Sequence, residues 1–74
     1  MIKLTRLNGT EYVLNCDLIA TIEATPDTVI TTTDYAKYVC KETVDEVIDK
    51  VVEFKARIIS AAFTNDKGGH GFGV

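Results

Sequence analysis

The sequence predicts a small α+β domain, mainly β: a small antiparallel five-strand sheet or barrel-like β-meander followed by one long C-terminal α-helix. Three observations carry this. Residues 43–63 repeat apolar side chains at three- and four-residue steps, the period of an amphipathic helix. Residues 2–40 instead fall into short stretches rich in β-branched side chains, which strands prefer. Between those stretches lie turn signals at Asn8-Gly9, Thr25-Pro26-Asp27 and Asp34-Tyr35.

Taken in order, residues 2–7 and 10–14 form a hairpin about Asn8-Gly9, a dipeptide suited to a two-residue type I′ turn. Such a turn opposes Leu7 to Thr10, Arg6 to Glu11, Thr5 to Tyr12 and Leu4 to Val13. One face then carries Ile2, Leu4, Arg6, Glu11 and Val13, with a favourable Arg6–Glu11 pair, and the other carries Lys3, Thr5, Leu7, Tyr12 and Leu14. Both faces are substantially apolar, so neither is marked as the solvent side. Asn15-Cys16-Asp17 breaks the pattern, and Leu18-Ile19 is expected to form a single turn. Residues 20–24 alternate, with Ile22 inward and Thr21 and Glu23 outward. Residues 28–33 and 37–40 complete the set. Tyrosine fits poorly where a turn demands positive φ, so Asp34-Tyr35 predicts another turn type or a longer loop.

The helix announces its own start. Thr43 followed by Glu46 is a capping box, in which each side chain satisfies a backbone donor of the other. Asp45, Glu46 and Asp49 precede Lys55 and Arg57, in keeping with the macrodipole. Residues 1–63 thus read as one domain, and 64–74, with four glycines, as a flexible tail.

A chain of 74 residues supports a single thin core. Net charge is −3, and neither half is a basic arm, which disfavours nucleic acid as a partner. Cys16 and Cys40 have neither disulfide-framework nor metal-pair spacing and read as inert reduced thiols. The lone histidine, His70, sits in the glycine-rich stretch without a partner to orient it. That stretch lacks the Lys-Ser/Thr of a phosphate loop. No catalytic, cofactor-binding or metal residues emerge, so neither an enzyme nor a small-molecule substrate is expected. No secretory signal and no apolar run long enough to span a bilayer is apparent, so a cytoplasmic location without membrane insertion is expected.

Protein association is the better prospect. A strand of five or six residues covers roughly 17–20 Å, whereas twenty helical residues extend about 30 Å. The last turns of the helix, with Ile58, Ile59, Ala62 and Phe63, therefore overhang the sheet. Lys55 projects into the apolar stripe between Val51, Val52, Ile58 and Ile59. Either it snorkels past the sheet edge, or it meets a carboxylate across a subunit boundary. The candidate interface comprises Lys55, Ile58, Ile59, Ala62 and Phe63 on the helix, with Leu7, Tyr12 and Leu14 on the hairpin.

Particular runs carry a family resemblance. Residues 1–9 (Met-Ile-Lys-Leu-Thr-Arg-Leu-Asn-Gly), Tyr12-Val13-Leu14-Asn15 and the run Ile22-Glu23-Ala24-Thr25-Pro26-Asp27-Thr28-Val29-Ile30-Thr31 resemble the small flagellar FlbD-like family, also called swarming motility protein SwrD. Tyr38-Val39 and Lys41-Glu42-Thr43-Val44-Asp45-Glu46-Val47 are similar to its last strand and helix start. The resemblance covers about residues 1–59. Asp34-Tyr35 departs from it, standing where the family usually has Asn-Gly. It implies a non-enzymatic cytoplasmic protein, adjacent to the membrane at the flagellar motor, that supports motor power and swarming. A homo-oligomer meeting a flagellar stator or motor protein is the expected assembly. The resemblance carries over no cofactor and no site residues. An RNA-binding regulator resembling the carbon storage regulator family, or an assembly factor for flagellar membrane proteins, is the alternative.

Overall fold

A computed structural model describes residues 1–65, with side chains through residue 63. The elements are β1 (Ile2–Thr5), β2 (Glu11–Leu14), a 3-10 turn (Cys16–Leu18), β3 (Ile19–Ala24), β4 (Thr28–Thr32), β5 (Lys37–Cys40) and α1 (Val44–Asn65). The α+β class and element order are those the sequence predicts. The strands divide into a two-stranded sheet, β1-β2, and a three-stranded sheet, β3-β4-β5, all antiparallel. The helix takes in residues 64 and 65, assigned above to the tail. The rest of the glycine-rich stretch, with His70, lies outside the described residues.

The first hairpin corrects the expected register by one residue. Ile2 opposes Leu14, Lys3 Val13, Leu4 Tyr12 and Thr5 Glu11. The loop is Leu7-Asn8-Gly9, closed by Arg6 N–H to Thr10 O (2.7 Å) and Gly9 N–H to Arg6 O (2.9 Å). A type I′ turn needs positive φ at both central residues, but here only Gly9 has it, at +94°. The Asn8 side chain instead accepts from Thr10 N–H (3.0 Å) and the Thr10 hydroxyl (2.8 Å). The shift gathers Ile2, Leu4, Tyr12 and Leu14 on one face. One-residue slips move whole side-chain sets between faces, so burial favours this pairing. The expected Arg6–Glu11 cross-strand pair is therefore not formed.

The second hairpin repeats the same loop geometry. Thr32 N–H donates to Ala36 O (2.9 Å) and Tyr35 N–H to Thr32 O (2.9 Å), leaving Thr33-Asp34-Tyr35 as a three-residue loop. The loop is longer than a two-residue turn, yet it does not spare the tyrosine. Tyr35 occupies the place of Gly9, with φ +68°. The Thr32 hydroxyl donates to the Asp34 carboxylate and braces the loop. That contact holds the Asp34 carboxyl below the usual carboxylate range. On β3 the register shifts between Ile19 and Thr21, so Ile19 and Ile22 are both half-buried. The expected turn at Leu18-Ile19 falls earlier, capped by the Asn15 side chain, which accepts from Asp17 N–H (3.1 Å).

Ile2, Leu4, Leu14, Cys16, Ile30, Cys40 and Val47 form the core, with Tyr12, Ile19, Ile22, Val51 and Phe54 packed against it. Both cysteines are free and buried, serving as small apolar side chains. The two sheets meet where β5 runs into the helix. Lys41 N–H donates to Thr5 O (2.8 Å), and the Glu42 carboxylate accepts from Thr5 N–H (2.9 Å) and the Thr5 hydroxyl (2.8 Å). Thr43 and Glu46 form the predicted capping box: Thr43 N–H donates to Glu46 Oε1 (2.8 Å), and Glu46 N–H to Thr43 Oγ1 (3.1 Å). Strand edge and helix start are thereby locked within three consecutive residues.

Candidate functional site

Val44, Val47, Val51 and Phe54 recur at alternating three- and four-residue steps, which places them on one line of α1. Val47 is fully buried, and Val51 and Phe54 pack on the core. Ile58 continues this line beyond the sheet and is exposed. Beside it runs a second line, Ile48, Val52, Ile59 and Phe63, displaced around the helix by roughly a quarter turn at about 100° per residue. These four are 45%, 61%, 58% and 70% exposed. The uncovered apolar surface therefore begins level with the core, at Ile48, and is not confined to the overhang. Ile48 and Val52 were absent from the sequence-derived interface. The width of the apolar arc was the signal: one sheet face cannot cover two adjacent stripes.

Lys55 meets Asp17 of its own chain, with Nζ 2.6 Å from Oδ1 and both side chains more than half exposed. Within one chain the Lys55 head group thus has a carboxylate partner. The pair ties the middle of α1 to the 3-10 turn before β3. The hydrogen bond and charge of Lys55 hold the Asp17 carboxyl below its ordinary range and push the Lys55 ammonium above its own.

The hairpin residues part company. Leu14 is a core side chain, 6% exposed, and offers a partner nothing. Leu7 is exposed in the first loop, and Tyr12 is half-buried at the mouth of a cleft of about 450 Å³ between that loop and β5. The Tyr12 ring stacks on Tyr38 (centroids 6.2 Å apart), and the Arg6 guanidinium lies 4.6 Å from its centroid. Its hydroxyl donates to Val39 O (3.0 Å). Burial pushes the Tyr12 phenol up, so it remains a donor at neutral pH. Ile58, Ile59 and Phe63 lie exposed on the helix, with Ala62 half-buried.

Among the described residues no group of three or more His, Cys, Asp or Glu side chains is placed to hold a metal. No helix among them is long and apolar enough to cross a membrane. A family model described as FlbD, flagellar and swarming motility proteins, matches residues 1–59. No curated protein and no solved structure matches the chain. The matched segment takes in the whole core, the hairpin cleft and the second helix stripe as far as Ile59.

Proposed function

Since the chain belongs to the FlbD family of flagellar and swarming motility proteins, we propose that it serves motility as a non-enzymatic, self-associating accessory of the flagellar motor. Copies assemble through the outer stripe of α1, and the assembly acts on a stator or motor component at the cytoplasmic side of the membrane, supporting motor power. The single observation behind this reading is the stripe Ile48, Val52, Ile59 and Phe63. Large apolar side chains exposed along one helix line, on both sides of the Lys55–Asp17 pair, mark an interaction site. Assembly would also add buried area to a core of only seven buried apolar side chains among the described residues.

Ile59→Asp places a charge in the centre of the stripe, far from the core. The variant is expected to elute as a monomer from a size-exclusion column, where the parent elutes as an oligomer, with unchanged circular dichroism. An unchanged elution volume would remove the stripe as the assembly surface. Cross-linking in swarming cells, followed by mass spectrometry, addresses the partner. Capture of stator or motor proteins supports the motor reading, and capture of export substrates alone overturns it.

A further inference from the structure

The free edge of β5 has the hydrogen-bonding groups of a strand still awaiting its neighbour. The Thr32–Ala36 bond sets the phase of the β4-β5 ladder, so Tyr38 and Cys40 face β4 while Lys37, Val39 and Lys41 turn their backbone groups outward. Lys41 N–H is taken by Thr5 O, and Val39 O by the Tyr12 hydroxyl. Among the described residues, the N–H and C=O of Lys37 and the N–H of Val39 have no partner. These groups open onto the cleft of about 450 Å³ that Arg6, Leu7, Tyr12, Tyr38 and Lys37 line. Every charged residue lining that cleft is basic, in a chain of net charge −3. Glu42, the carboxylate whose charge reaches Tyr12, is occupied by Thr5.

From this geometry we infer that the β5 edge binds an extended acidic peptide segment of a partner protein, added as a fourth strand to the β3-β4-β5 sheet. Main-chain pairing to Lys37 and Val39 supplies the register, and Arg6 and Lys37 receive carboxylates of the incoming chain. A second copy of this chain is disfavoured in the register centred on Val39. Antiparallel pairing of two β5 edges about Val39 would set Lys37 against Lys41 twice, opposing like charges. Single-stranded nucleic acid is also poorly served, because bases need an open aromatic face. The Tyr12 ring already has Arg6 and Tyr38 against it. The helix stripe plays no part, so this inference stands or falls separately from self-association.

The test uses the full chain, isotopically labelled for amide NMR at neutral pH. It is titrated with an acetylated, amidated heptapeptide alternating valine and glutamate, its valine–lysine counterpart, a backbone N-methylated glutamate peptide, and oligouridine. The glutamate peptide is expected to shift the Lys37 and Val39 amides and slow their exchange, and to bind about tenfold or more tighter than the lysine peptide. Lys37→Glu, at an exposed position, leaves Arg6 as the one cation facing a new carboxylate and should abolish the preference, and N-methylation should abolish binding. Equal binding of both peptides, binding that survives N-methylation, or no binding to β5 would each overturn the inference. Shifts here with oligouridine alone would assign the cleft to nucleic acid instead. Self-association of Lys37→Val through β5, without peptide binding by the parent, would reduce Lys37 to a guard against edge pairing.

Discussion

Replacing Tyr35 with glycine should stabilise this protein, although it removes a large aromatic side chain. Tyr35 holds φ +68° in the second hairpin loop, the position that Gly9 fills in the first. Left-handed backbone costs a residue with a Cβ about 1–2 kcal/mol. Glycine gives back about 0.4–1 kcal/mol through its greater freedom in the unfolded chain. The ring is 87% exposed, so its contacts contribute little to weigh against the change. The balance is a gain of about 0.5–1 kcal/mol. With a urea slope of about 1 kcal/mol/M for a small domain, the denaturation midpoint should rise by about 0.5–1 M. Gly9→Ala is the reciprocal control: a Cβ there meets nothing within 4 Å, so its cost is entirely backbone. It should lower stability by about the same 0.5–1 kcal/mol. A neutral or destabilised Tyr35→Gly beside a destabilised Gly9→Ala would refute the argument, because the ring would then be holding the fold by contacts its exposure denies.

Glu42→Gln weakens two charge-assisted bonds from Thr5 and should cost about 1–2 kcal/mol after allowance for partial exposure. Burial raises the Glu42 carboxyl, but the Thr5 donors outweigh it and hold the group below its ordinary 4.5. The contribution is therefore full above that value and lost as pH falls through the lower folded pKa; acid denaturation of Glu42→Gln, followed by circular dichroism, should lack this component. Thr43→Ala opens the capping box and should cost about 1 kcal/mol, with faster hydrogen exchange in the first turn of α1. In the monomeric Ile59→Asp background, Val47→Ala should cost about 2 kcal/mol in urea denaturation and Val52→Ala under about 0.5, since one is buried and the other lies on the stripe that only assembly covers.

What was legible in the chain was local. Thr43 and Glu46 are three residues apart, and their reciprocal bonds need only the first turn of the helix. The strand sequence followed likewise from β-branched stretches punctuated by turns. The hairpin register was less accessible, because Asn8-Gly9 is compatible with loops of two or three residues. Only the choice of which side chains to bury together selects the one with Ile2, Leu4, Tyr12 and Leu14 on a common face. Leu14 was misplaced among the interface candidates for that reason alone. The overhang beyond Phe54 could be anticipated from helix and strand lengths. The lateral exposure of Ile48 and Val52 could not, because it depends on how α1 rotates against the sheets.

Taken by itself, the sequence determined an α+β order of five strands and a capped helix, an apolar arc on that helix, and the flagellar family resemblance. Tertiary structure decided the split into two sheets, the Glu42 clasp on Thr5, the Lys55–Asp17 pair and the open edge of β5. The physical reason is separation along the chain. Propensity, capping and turn chemistry act over a few residues, whereas Thr5 and Glu42 lie 37 residues apart, and Asp17 and Lys55 lie 38 apart. Those pairs meet only after the core has set the sheets and helix in place.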